Sequence, residues 1–253
     1  TSKRNVQERI KKTKKVLYGF LKDIMWQTNK KGDHPDVDVR VKIYESIIRP
    51  RLLSGLNVFK INDDEMKDLM NLEKDVIRMM LGLRDKAPMN PLYKLTGQLP
   101  IKAHLHKSIL SIIHNLWSNN TNPVTTLLRL SSGDNFNSGT WLEGAEKVLK
   151  LYNLPSLKKL LELRCPDKQN WKDFCKKEIQ RKWDNQIEAE INELKHSILT
   201  GTKKTELNNR TNYILQNAKT WPDLQGIKCI LQIIGDSLET NQRLKRCGKR
   251  SSD

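Results

Sequence analysis

Apolar residues recur at three- and four-residue steps through most of this chain, and no stretch alternates apolar with polar in the period-two register of a half-buried strand. That pattern restricts the fold to packed helices, so the expected class is all-α. Residues 4–26 place Val6, Ile10, Leu17, Leu21 and Ile24 on one face and Arg4, Lys11, Lys15 and Lys22 on the opposite side. Asn29 to Pro35 is a loop by its breakers, and Asp36 can cap a second helix. That helix carries Val41, Tyr44, Ile48, Leu52, Leu56 and Phe59, with Pro50 inside it to kink or split it. Asn62, Asp63 or Asp64 can cap a third helix through Met66, Leu69, Val76, Ile77 and Met80, stopping near Gly82.

Beyond it, Pro88, Pro91, Gly97 and Pro100 punctuate a connector with one short helix, and residues 101–118 read as another helix. Ser131 to Gly139 is polar and rich in Gly and Asn, which makes it a loop or boundary. Two short helices, 140–152 and 156–164, flank Pro155. Residues 168–199 form one long helix with Trp171, Phe174, Ile179, Trp183, Ile187, Ile191, Leu194 and Ile198 on its apolar face. Helical stretches come next around 205–219 and 223–234, and then a basic tail.

Charge narrows the partner. Lys and Arg number 46 against 29 Asp and Glu, a formal net charge of +17. A polyphosphate rewards such an excess, because each neutralised phosphate releases condensed counterions. Residues 1–31 hold ten Lys or Arg and two acids, a net +8 and nearly half of the total. The expected contacts are Arg4, Lys11, Lys12, Lys15 and Lys22 in this segment, and Arg243, Lys245, Arg246, Lys249 and Arg250 in the tail. They would meet phosphate backbone, which positions rather than specifies. A membrane surface is the other partner for such a charge, but no apolar run approaches the roughly 18 residues needed to span a bilayer, so no membrane partner is expected.

Other constellations read as structure. The adjacent pair Asp63-Asp64 heads a helix instead of sitting in a strand hairpin, so capping explains it better than two-metal chemistry. His104 and His106 point to different sides of a helix and lack the further ligands a structural metal site needs. Cys165, Cys175, Cys229 and Cys247 form no C-x-x-C pair, which suits a reducing compartment, nucleus or cytoplasm. Asp184, Glu188, Glu190 and Glu193 beside Arg181, Lys182 and Lys195 suggest ion pairs along one helix face, and the six tryptophans read as core. No phosphate loop or nucleophile elbow is present. No catalytic or metal-binding residue and no cofactor is therefore assigned to this chain.

The run Ile43-Tyr44-Glu45-Ser46-Ile47-Ile48-Arg49-Pro50-Arg51-Leu52-Leu53-Ser54-Gly55 resembles the "LY-x-x-I-I-R-P-x-L-x-Y-G" helix of non-LTR retrotransposon reverse transcriptases, which lies in the thumb just after the palm. Leu72 to Leu83 is similar to that family's "L-x-x-x-Q-x-x-x-L-R-x-I-L-G-L", Leu92 to Ile101 to its "L-x-x-E-L-G-x-L-P-I", and Arg9 to Thr13 to its "R-I-x-K-A". Tyr152 to Pro155, Trp171-Lys172 and Thr240 to Arg250 resemble its linker and the segment before its zinc knuckle. The likeness is specific around 43–101 and loose from 120 to 235. Ser54 stands where the family has Tyr, and Thr96 where it has Glu-Leu.

The resemblance implies a thumb-like three-helix bundle over 1–83, a helical connector over 84–130, a loop at 131–139 and a C-terminal helical linker with a basic tail over 140–253. It places the palm, its aspartates and its Mg²⁺ before Thr1 and the knuckle after Asp253. The implied function is a non-catalytic grip on RNA, DNA or an RNA–DNA template–primer duplex, held by its backbone for an RNA-directed DNA polymerase. The alternative is a helical protein-interaction module derived from a retroelement, using the apolar faces around 101–118 and 168–199.

Overall fold

The computed structural model describes residues 2–21, 37–81, 89–119, 123, 125–126 and 140–193. Every regular element among them is helical, as the periodicity requires. Expectations for residues 22–36, Gly82, 131–139 and 194–253 lie outside the described residues. Helix α1 spans Ser2–Val16 and passes into a π turn at Leu17–Leu21. Helix α2 is Val37–Ile43, succeeded by a π turn at Tyr44–Ile48, α3 at Arg49–Leu53 and a 3₁₀ turn at Leu56–Val58. Then come α4 (Asp63–Met80), α5 (Met89–Thr96), α6 (Ile101–Ser118), α7 (Trp141–Leu151), α8 (Leu157–Glu162) and α9 (Lys168–Glu193). No described helix is long and apolar enough to cross a membrane.

Local chemistry explains where these elements start and stop. Pro50 has no N–H, and its ring would press on the carbonyl of residue 46 in a regular α-helix. The backbone widens into the π turn just before it and resumes as α3, so the expected break is a change of helical pitch. Asn62 caps α4. Its side-chain oxygen accepts from the Glu65 N–H at 2.8 Å, and its own N–H donates to the Glu65 carboxylate at 2.9 Å. Asp63 and Asp64 occupy the first turn, where acids favour the helix dipole.

Two helix ends close by the same device. Gly97 takes φ +66° after α5, and Gln98 N–H donates to the Tyr93 carbonyl at 3.1 Å. Asn153 takes φ +55° after α7, with Leu154 N–H donating to Leu149 O at 2.9 Å and Asn153 N–H to Lys150 O at 3.1 Å. Asn tolerates this conformation better than other side chains do, and Pro155 then prevents the helix from continuing. Ser156 and the Glu146 carboxylate cap the start of α8.

Packing gathers the described residues into two units, each built from segments distant in sequence. The first draws on the described residues within Thr1–Lys14, Arg49–Asn71 and Leu99–Asn185, the second on those within Lys15–Ile48, Leu72–Gln98 and Gln186–Asp253. In the first unit Trp117, Trp171, His114 and Phe174 form an aromatic cluster, Trp117 and Trp171 meeting edge to face at 5.6 Å. Each indole N–H has a partner: Trp117 donates to Leu163 O, Trp171 to Leu110 O, Trp183 to the Tyr152 hydroxyl and Trp141 to Asn57 O. These four tryptophans are structural, as the apolar faces suggested, whereas Phe174 is 46% exposed and lies at the edge of the cluster instead of within the buried face.

Val6, Ile10 and Thr13 form the buried side of α1 in this unit. Thr13 is only 1% exposed, and its hydroxyl has no hydrogen-bond partner among the described residues. Burying an unbonded hydroxyl is unfavourable. Thr13→Val, which keeps the shape, is therefore expected to stabilise the protein by about 1 kcal/mol. Chemical denaturation monitored by circular dichroism checks this, and a lower midpoint for the valine variant would show that the hydroxyl is satisfied.

The second unit has a polar centre. Glu73 is fully buried, and its two carboxyl oxygens accept from the hydroxyls of Tyr44 at 2.6 Å and Tyr93 at 2.7 Å. Arg40, also buried, donates to the Met80 carbonyl at 3.0 Å and so meets the negative end of α4. Gln98 donates to Glu45 at 3.0 Å. The acids of α9 also behave differently from expectation. Glu188 pairs with Lys94 of α5 at 3.0 Å, and Glu190 accepts from Asn90. They join two helices instead of only decorating one, because the end of α9 packs where α5 presents its polar side.

Candidate nucleic-acid interface

The cationic face of α1 arises from its composition. Within Ser2–Val16 stand seven Lys or Arg and one acid, Glu8. Burial of Val6, Ile10 and Thr13 turns Arg4, Lys11, Lys12, Lys14 and Lys15 outward, all exposed. Arg4 approaches Glu8 at 3.6 Å and Lys12 approaches the same carboxylate at 3.9 Å, both in the open where screening leaves such contacts little energy. One carboxylate shared by two cations leaves net positive charge on that face. The first turn carries no acid, so Lys3 and Arg4 stand at the positive end of the helix dipole. That placement costs helix stability unless an anion lies nearby.

Of the residues expected at this interface, the described helix thus holds Arg4, Lys11, Lys12 and Lys15 on its exposed side. Lys22, Arg243, Lys245, Arg246, Lys249 and Arg250 lie outside the described residues. Arg9 lies under the backbone, its guanidinium 3.6 Å from where a side chain on Gly55 would begin. Gln7 anchors the helix to α4 through Asp68 at 2.7 Å.

Two histidines that the sequence marks as ordinary take specific places. His106 accepts on Nδ1 from the Tyr152 hydroxyl at 2.9 Å, which in turn accepts from Trp183 Nε1 at 3.1 Å. Burial holds His106 down to about 4, with Lys102 adding to the effect. His104 Nε2 lies 3.0 Å from Arg49 Nη1. A guanidinium can only donate, so Nε2 accepts and the ring proton sits on Nδ1, facing the Leu99 carbonyl. Burial, then Arg49, then Lys107 hold His104 down to about 3. A neutral imidazole thereby orients Arg49 without cancelling its charge.

Arg49 belongs to a second cationic group that sequence reasoning missed. Lys107 of α6 faces Lys172 and Lys176 of α9, and all three line one cleft in the first unit. Spacing offered one sign of it: Lys168, Lys172 and Lys176 recur every four residues on α9. The meeting with Lys107 and Arg49 is tertiary. Among the described residues no group of His, Cys, Asp and Glu is placed to hold a metal ion. The cationic features can hold anions, and their ammonium and guanidinium heads suit phosphate oxygens. Comparison with protein-family models, with curated proteins and with solved structures returns no match.

Proposed function

We propose that this chain is a non-catalytic nucleic-acid-binding region of a non-LTR retrotransposon reverse transcriptase, gripping a template–primer duplex by its backbone. The observation that carries the reading is the outward side of α1, with five exposed lysines and Arg4 against a single carboxylate. The motif likeness at 43–101 supplies the family. An RNA–DNA hybrid takes A-like geometry, and a helix bearing cations along one side tracks backbone shape without reading bases.

The test is binding of the purified chain to a labelled RNA–DNA hybrid across salt, beside DNA duplex and single strands. Log affinity is expected to fall linearly with log salt, by about 0.9 for each phosphate neutralised. Replacing Arg4, Lys11, Lys12, Lys15 and Lys22 together with Glu is expected to abolish binding while the helical circular dichroism spectrum persists. Undiminished affinity in that variant overturns the assigned face, and no binding at low salt overturns the reading itself.

The rival reading is a protein-interaction module using the apolar faces around 101–118 and 168–199. Most apolar residues of α6, and Trp171, Cys175, Ile179 and Trp183 of α9, are buried within the first unit, while Ile112 and Leu116 are half-buried and Phe174 is exposed. What favours it is a groove of about 420 Å³ in the same unit, between α6 and α7, bordered by Phe59 and Trp141. A partner retained from extract after nuclease treatment would support that rival.

A further inference from the structure

The cleft that Lys107, Lys172 and Lys176 line between α6 and the first turns of α9 has a volume of about 390 Å³. That is more than ten times the roughly 30 Å³ a water occupies in the liquid, so an oxyanion fits with room for its hydration. The floor is apolar and tightly packed. Leu110, Trp171 and Cys175 are each at most 6% exposed, and the Trp171 N–H is already committed to Leu110 O. A low-dielectric floor strengthens every charge interaction above it. Asp173, the carboxylate among the described lining residues, accepts from Gln169 at 3.1 Å, while the lysine heads have no ion-pair partner among the described residues.

The three ammoniums and Arg49 repel one another. Lys107 is held below the usual lysine value first by burial and then by Lys176, Arg49 and Lys172. A fold gains nothing from gathering like charges over an apolar floor, and an anion seated among them reverses the sign of each interaction. None of these residues belongs to α1, and none is among the cations that the sequence points to.

We propose that this cleft is a phosphate-binding site formed by Lys107, Lys172 and Lys176, and that the phosphate it seats is one of the nucleic-acid backbone. The second clause rests on the function proposed above, and the first does not. Inorganic pyrophosphate is the probe that separates them, with calorimetry on the full chain as the readout. Saturable binding is expected in the native protein and in the α1 charge-reversal variant. A loss of at least tenfold is expected in K107Q/K172Q/K176Q, and recovery in the triple-arginine variant, which keeps the charge. In hybrid-duplex titrations the glutamine variant should show a salt slope lower by about 0.9 for each phosphate the cleft seats.

Equal pyrophosphate binding by the native protein and the glutamine variant, or none by either, overturns the site. Lost pyrophosphate binding with an unchanged duplex slope overturns the backbone assignment and leaves a site for a free phosphate compound. If the native chain binds no nucleic acid yet binds pyrophosphate through the three lysines, the α1 reading fails and the cleft stands. The lysines are exposed, so neutral replacements leave the packing intact, and matching circular dichroism spectra verify that.

Discussion

Glu73→Leu is expected to cost roughly 3–5 kcal/mol and to unfold the second unit first, because it strands two buried hydroxyls at once. Tyr44 and Tyr93 both donate to this carboxyl group, and neither is more than 2% exposed. Burial, together with the nearby Glu73 charge, holds the Tyr93 hydroxyl well above its usual value, so it remains a donor at any working pH. A hydroxyl left without an acceptor in such a place loses its hydrogen bond and regains none from water, at about 1–3 kcal/mol each. Glu73→Gln keeps one carbonyl oxygen and should cost about half as much. The triple variant Glu73→Leu, Tyr44→Phe, Tyr93→Phe removes donors and acceptor together and should recover much of the loss. Urea midpoints measure all three, and hydrogen exchange shows whether α2 and α5 lose protection before α6 and α7. An unchanged midpoint in Glu73→Leu would falsify the claim that this carboxyl group organises the unit.

Acid should destabilise the first unit earlier than carboxylate protonation alone would. His104 and His106 titrate near 3 and 4 in the folded protein and near 6.5 when unfolded. As pH falls below 6.5 the unfolded chain takes up the protons first, so the equilibrium moves toward it. The stability that rests on these neutral rings is complete above pH 6.5, declines below it, and is spent once pH has passed about 4 for His106 and about 3 for His104. At about 1.4 kcal/mol for each pKa unit, the pair removes on the order of 8 kcal/mol across that window. Protonated His106 could no longer accept the Tyr152 hydroxyl, and protonated His104 would face Arg49 as a second cation. His106→Leu should be less stable than the native protein at pH 7.5 and should lose less on going to pH 4.5. Parallel stability-versus-pH curves for the two proteins would remove His106 from this account.

The α1 interface and the lysine cleft differ in how visible they are before folding. Seven cations and one acid in fifteen residues, opposite a buried stripe of Val6, Ile10 and Thr13, can be read from spacing alone, because a helix repeats every 3.6 residues whatever lies around it. Lys107, Lys172, Lys176 and Arg49 cannot be grouped that way. They come from three helices, and only packing decides that the three lysines line one cleft with Arg49 close enough to act on Lys107. His104 illustrates the same limit. From spacing it reads as an ordinary histidine, and in the fold it is an acceptor for Arg49.

What the sequence determined by itself is local. It set the all-helical class, the cap at Asn62, the change of pitch at Pro50, the ends at Gly97 and Asn153, and the charge on α1, because each depends on a few neighbouring residues and on backbone sterics. Tertiary structure alone decided the rest: the assembly of two units from interleaved segments, the convergence of Tyr44 and Tyr93 on Glu73, the reach of Glu188 to Lys94, and the lysine cleft. Those pairings join residues far apart in the chain, and helical periodicity names the face a residue lies on without naming the face it will meet.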